Sequence, residues 1–121
     1  MVLLMVIMSS LALITDAKVY YVGGKQGWNQ NPQLWLGDRT FKAGDILVFI
    51  YRKGEHNVAV YYDEFYYEDC AAPDNATTYT SGHDRVKLRK GYNYIISSVP
   101  GDCDDYFLAI SPYAKVALKR S

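Results

Sequence analysis

Residues 41–51 read Phe-Lys-Ala-Gly-Asp-Ile-Leu-Val-Phe-Ile-Tyr. The Lys42-Ala43-Gly44-Asp45 portion has turn chemistry, since glycine and aspartate accept the backbone angles that a chain reversal needs. From Asp45 to Tyr51 the chain is dominated by β-branched and aromatic residues, the signature of a strand. Similar runs recur about every ten positions, separated by Gly, Pro, Asn and Asp, and predict further strands at 18–22, 57–62, 77–80, 85–88, 92–99 and 106–111. Val22-Gly23-Gly24 closes the first run and Arg89-Lys90-Gly91 joins two later ones. Helical periodicity is nearly absent, the exception being 63–70, which reads either as a short helix capped by Asp63 or as a continuation of the preceding strand. No repeat or linker divides the chain. The expectation is one all-β domain, a sandwich or barrel of mostly antiparallel strands with at most short helices.

Composition agrees. Half of the 121 residues are hydrophobic and 15% aromatic, enough to fill a core, and the twelve Tyr against four Phe favour strands and half-buried surfaces. Thirteen Lys and Arg balance thirteen Asp and Glu, so there is no basic excess to hold a phosphate backbone, and nucleic acid is excluded as a partner. From Val2 to Ile14 only Ser9 and Ser10 are polar and nothing is charged, and Thr15-Asp16-Ala17 then offers small residues before Lys18. This reads as a secretory leader over 1–17, with the domain at 18–121; about 20 Å of helix is too short to span a bilayer, so no transmembrane segment is expected. Lys115, Lys119 and Arg120 interrupt the C-terminal segment, so no lipid-anchor signal is read there. A secreted, extracellular monomer is the expectation. In that compartment Cys70 and Cys103, the only two cysteines, most simply form one disulfide, and Asn75-Ala76-Thr77 is a glycosylation sequon in a Pro- and Asp-rich loop.

Tyr21-Val22-Gly23-Gly24, Gly27-Trp28, the 41–49 stretch, His56-Asn57-Val58, Cys70, Tyr79-Thr80-Ser81-Gly82, Lys90-Gly91, Tyr94-Ile95-Ile96 and Val99-Pro100-Gly101 together resemble the plant phytocyanins. Within that family the likeness is to the plantacyanin and early-nodulin-like type. The resemblance implies a Greek-key β-sandwich of the cupredoxin kind, with a disulfide matching Cys70 and Cys103. It also implies a copper site of two His, one Cys and a weak axial ligand, because a thiolate and two imidazoles make the trigonal site on which blue-copper electron transfer depends. Carried onto this sequence, the first His is His56, the Cys position holds Ser97, the second His position holds Asp102 and the axial position holds Phe107. With only His56 retained, the expectation is no metal and no cofactor, copper being kept only as the alternative.

His56 then has two open roles, a half-buried histidine hydrogen-bonded to Asp102 across the former pocket, or weak metal binding. His83 reads as a solvated turn residue. No Gly-x-Ser-x-Gly elbow, phosphate loop or His-Glu-x-x-His is present, so no enzyme is expected. Asp102, Asp104 and Asp105 read as a charged loop beside the disulfide rather than as a catalytic pair. Tyr61, Tyr62, Phe65, Tyr66 and Tyr67, interleaved with Asp63, Glu64, Glu68 and Asp69, are either strand residues with rings at the rim or a surface for a glycan or protein ligand. The first is the more ordinary reading of the segment. For the protein as a whole, the resemblance implies an extracellular recognition or structural protein of the plant wall or cell surface, with plantacyanin-like blue-copper electron transfer as the alternative.

One consequence is direct: the product secreted by a eukaryotic host should begin at Lys18. Mass spectrometry of its N-terminal peptide checks this, and a peptide retaining residues of the 2–14 run would refute it.

Overall fold

The computed structural model describes residues 17–117. The expected leader therefore lies, apart from Ala17, outside the described residues, as do Lys119 and Arg120. Ten strands are formed: β1 (Val19–Tyr21), β2 (Phe41–Lys42), β3 (Ile46–Ile50), β4 (Val58–Tyr61), β5 (Thr77–Tyr79), β6 (His83–Lys87), β7 (Gly91–Tyr92), β8 (Tyr94–Ile96), β9 (Ala109–Ile110) and β10 (Tyr113–Lys115). Two short helices, α1 (Gln33–Leu36) and α2 (Asp102–Tyr106), accompany them. The strands join in the orders β1-β3-β6, β2-β10-β7 and β5-β4-β8-β9. Antiparallel ladders predominate, with β1 parallel to β3 and β2 parallel to β10. The mostly-β expectation holds, with the distant pairings β3 to β6 and β4 to β8 supplying the Greek-key crossings.

Asp45 explains why the opening stretch folds as it does. Its carboxylate is almost wholly buried and accepts from the backbone N–H groups of Lys18 (3.0 Å) and Lys42 (2.8 Å). One side chain thereby closes the turn after β2 and fixes the entry to β1, so that β1 runs beside β3. Leu47 and Phe49 of β3 then point into the main core with Val58 and Val60 of β4, Val86, Ile95, Ile110 and Ala114. Trp28 seals one end of this core, its ring edge-on to Phe49 at 4.9 Å. Gly27 before it has φ 69°, and a Cβ there would meet the Ile50 carbonyl oxygen at 2.5 Å, so only glycine lets the chain approach β3 this closely.

Departures from the sequence reading have local causes. The strand expected at 92–99 is divided at Asn93, which is fully buried and bonds to the backbone of Arg89 and Gly91. At that corner the chain leaves the β2-β10-β7 sheet and enters the four-stranded one. The strand expected at 106–111 is shortened to Ala109–Ile110, because Tyr106 ends α2. The short strands β2 and β10 and helix α1 were not anticipated, their two to four residues being too few to establish a period. The element expected at 63–70 is a single turn of 3-10 helix, Glu64–Tyr66, and Asp63 caps it by accepting from the Phe65 N–H at 3.0 Å.

Strand β4, Val-Ala-Val-Tyr, is buried at all four positions. Val58 and Val60 face the main core, while Ala59 and Tyr61 join Tyr94, Ile96 and Cys103 in a second apolar cluster. Tyr66, Tyr67 and Cys70 pack against that second cluster, so the segment following β4 folds back as its cover. A sheet covered on both faces needs apolar residues at every position, which is why alternation is missing here.

The Cys70–Cys103 disulfide, with Cα atoms 5.6 Å apart, pins that cover to α2. Replacing both cysteines by alanine should lower the unfolding free energy by about 3 to 4 kcal/mol through the lost loop closure. Urea denaturation of the variant beside the wild type reads the difference, and a change within about 1 kcal/mol would contradict it.

Candidate functional site

His56 and Asn57 lead into β4, and Ser97 and Ser98 follow β8, which pairs antiparallel with β4. The ladder thus brings the two segments side by side, and two bonds clasp them: the Asn57 side-chain amide donates to Ser98 Oγ (2.9 Å) and the Ser98 N–H donates to Asn57 Oδ1 (2.7 Å). The Trp28 indole N–H donates to the Asn57 carbonyl at 2.9 Å, which ties this clasp to the core. Neither Trp28 nor Asn57 was singled out as a site residue from sequence, though a buried indole N–H needs a partner and this is it.

Asp102 arrives from the other side. Gly101, at φ 88°, turns the chain so that Asp102 opens α2, its N–H bonded to the Val99 carbonyl at 3.0 Å. Its Oδ2 accepts from Ser97 Oγ at 2.6 Å and lies 2.7 Å from His56 Nδ1. Ser97 is fully buried, Asp102 is nearly so, and the His56 side chain keeps about 20% of its exposure. The His56–Asp102 contact anticipated from sequence is therefore formed, and Ser97 completes it. One carboxylate oxygen holds both partners, so the order is not that of a catalytic triad: Ser97 donates to the acid and not to the imidazole.

Phe107 is not part of this group. It sits at φ 55° just after α2, 63% exposed, and its ring borders a separate groove with Tyr67, Cys70 and Cys103. The small depression over the site, about 250 Å³, is lined instead by Asn29, Glu55, His56, Asp102, Tyr106 and Leu108. Of the four positions mapped onto the copper site, the fold unites His56, Ser97 and Asp102 and turns Phe107 away. Residues 102–106, read from sequence as a charged loop, form α2. Asp102, Asp104 and Asp105 in its first turn are the helix-start signal that was available.

The aromatic segment after β4 also divides. Tyr61, expected among the ligand-contacting rings, is 2% exposed, stacked on Tyr94 with centroids 6.0 Å apart. Burial, with Tyr67 and Tyr94 nearby, raises its hydroxyl pKa well above the ordinary value. Tyr66 and Tyr67 are half-buried in the cover, and burial raises Tyr67 too. Tyr62 and Phe65 remain exposed, and the Arg89 guanidinium lies 3.8 Å over the Tyr62 ring. Asn75 is exposed in the turn before β5.

The Plastocyanin-like domain family matches residues 24–106. The basic blue protein of Cucumis sativus is 45% identical over 85 residues, covering 70% of this chain and 88% of that one. The chain belongs to the phytocyanin family. The chemocyanin of Lilium longiflorum is 41% identical over 90 residues, 74% of this phytocyanin and 71% of that protein. Among solved structures, cucumber basic protein, a blue copper protein, superposes with TM-score 0.74 at 42% identity, over 79% of this chain and 98% of its own. No enzyme family is indicated by these relatives, and among the described residues no helix is long and apolar enough to cross a membrane.

The comparisons correct one expectation. Absence of a cofactor was inferred from the replaced ligand positions alone, whereas the phytocyanins similar to this chain include blue and copper proteins by name, so copper is the cofactor they support. The donors here fit that ion in one respect and not in another. An imidazole nitrogen and a hydroxyl meet one carboxylate, but among the described residues no three His, Cys, Asp or Glu are grouped to hold a metal, both cysteines are spent in the disulfide, and no described thiolate is left for a blue centre.

Since Asp102 Oδ2 serves the buried Ser97 and the half-buried His56, Asp102→Asn should cost about 2 kcal/mol of stability and Ser97→Ala about 1 kcal/mol. The double variant should cost less than the two together, because both remove the same bond. Urea unfolding of the four proteins of this cycle measures the coupling, and strict additivity would show that the bond contributes nothing.

Proposed function

We propose that this phytocyanin works outside the plant cell, at the wall or cell surface, as a recognition or structural protein rather than as a carrier built on a thiolate-ligated copper. The observation that carries this reading is at residue 97. Ser97 stands where the family resemblance places the thiolate, and its hydroxyl is committed to Asp102. A serine hydroxyl ionises far less readily than a thiol and offers no polarizable sulfur to tune a redox centre. The expected leader, the exposed Asn75 sequon and the disulfide all suit an oxidising, extracellular setting.

Copper reaches this chain through its relatives' names. The residues that would hold it are His56 and Asp102, with Ser97 behind them, a nitrogen-and-oxygen donor set without sulfur. When bound, copper supplies one-electron chemistry. The protein's own part is to orient the imidazole through the Asp102 carboxylate and to keep the clasp at Asn57 and Ser98 rigid around it. Blue-copper electron transfer is the second reading, favoured by the names of the same relatives.

Titration of the secreted protein with Cu(II) separates the two. Binding should give weak ligand-field absorption and an electron paramagnetic resonance spectrum of nitrogen and oxygen ligation, both lost in His56→Gln. An intense thiolate-to-copper charge-transfer band would overturn the reading and reinstate the electron carrier.

A further inference from the structure

Balanced as a whole, the charge of this chain is unevenly placed. No Lys or Arg occurs in 26–38, 54–84 or 91–114. These three stretches meet at one place: the groove of about 430 Å³ beside the disulfide, whose walls include Asn31, Tyr67, Glu68, Phe107 and both half-cystines. Its floor and sides are mainly apolar. Its surroundings are anionic, since Glu68 and Asp69 precede Cys70 and Asp104 and Asp105 follow Cys103, all four exposed. Among the described residues the ion pairs are Arg52 with Glu55 and His56 with Asp102, so none of those four carboxylates is neutralised by a partner in the described fold.

The backbone around the groove is unusual in the same place. Asn31, Cys70 and Phe107 are the non-glycine residues of the described chain with positive φ, at 52°, 53° and 55°, and all three line it. Such conformations are disfavoured for a side chain as large as phenylalanine and are held only where the surroundings impose them. At Phe107 the result is a ring left 63% exposed at the groove wall.

We infer that this groove is a docking site for a cationic, aromatic-bearing peptide segment of another extracellular protein, with an apolar side chain against Phe107, Tyr67 and the disulfide and its Lys or Arg residues facing Glu68, Asp69, Asp104 and Asp105. Charge complementarity selects the occupant: a groove flanked by four exposed carboxylates, on stretches without Lys or Arg, repels an acidic segment and steers a basic one. The apolar walls give a basic segment carrying Tyr or Leu more to bury than a uniformly charged one. The site is separate from the His56 depression, with which it shares no lining residue. It deepens the recognition reading above and rests on it, but not on whether copper binds.

Nuclear magnetic resonance on the isotope-labelled secreted protein tests this with two synthetic peptides, one of alternating Lys and Tyr and one of alternating Glu and Tyr. The Lys peptide should shift the amides of Tyr67, Glu68, Phe107 and Ala109, and should bind about tenfold or more tightly than the Glu peptide. Glu68→Gln combined with Asp104→Asn and Asp105→Asn should weaken it about tenfold, and Phe107→Asn, which retains a residue tolerant of positive φ, should weaken it without unfolding the domain. Equal shifts from both peptides, or shifts confined to other faces, overturn the proposal. Self-association that the triple variant abolishes also overturns it, in favour of a second copy as occupant. Wall oligosaccharides added to the same sample distinguish the two levels: shifts from a glycan but not from the Lys peptide sink the peptide proposal while sparing the recognition reading, and silence from both sinks both.

Discussion

The Cys70–Cys103 bond is the constraint on which the described site and groove both depend. It joins the cover over the outer face of the four-stranded sheet to α2 and adds a covalent tie to the packing of Tyr66 and Tyr67. Tyr66, Tyr67 and Cys70 reach the second cluster only because the cover is held down, and Asp102 meets Ser97 and His56 only because α2 is held in place. A domain of this size has a small margin of stability, so a cross-link worth a few kcal/mol decides whether such thin layers stay closed.

Around that cross-link lie two neighbouring places that differ in chemistry. On one side an imidazole and a hydroxyl share a single carboxylate oxygen in a largely buried polar group. On the other, apolar walls and unpaired surface carboxylates border an open groove. The first is where the family resemblance puts the copper ligands, and in this chain those positions offer nitrogen and oxygen instead of sulfur. The second shares no lining residue with the first, so the docking proposed there does not depend on copper.

Much of the fold was legible in the sequence because it was written in local chemistry. The turn at Lys42-Ala43-Gly44-Asp45, the runs in β3 and β4 and the cap at Asp63 each follow from a few adjacent residues. The copper positions were legible only through family resemblance, and reading replaced ligands as an absent cofactor went too far, since the relatives carry blue and copper names. The aromatic run at 61–67 misled for a different reason. Its rings have the composition of a binding surface, yet Tyr61 is core, and only the cover above it makes it so.

By itself the sequence determined the β-rich domain, the single possible disulfide and the identity of the groups at 56, 97 and 102, all of which depend on residue type and nearest neighbours. Only the tertiary structure decided that Asp102 accepts from both Ser97 and His56, that Phe107 turns away from them, and that three Lys- and Arg-free stretches far apart in the chain line one groove. The physical reason is that these arrangements are set by strand register and by the cross-link across 33 positions, long-range constraints that leave no periodic trace in the residues they bring together.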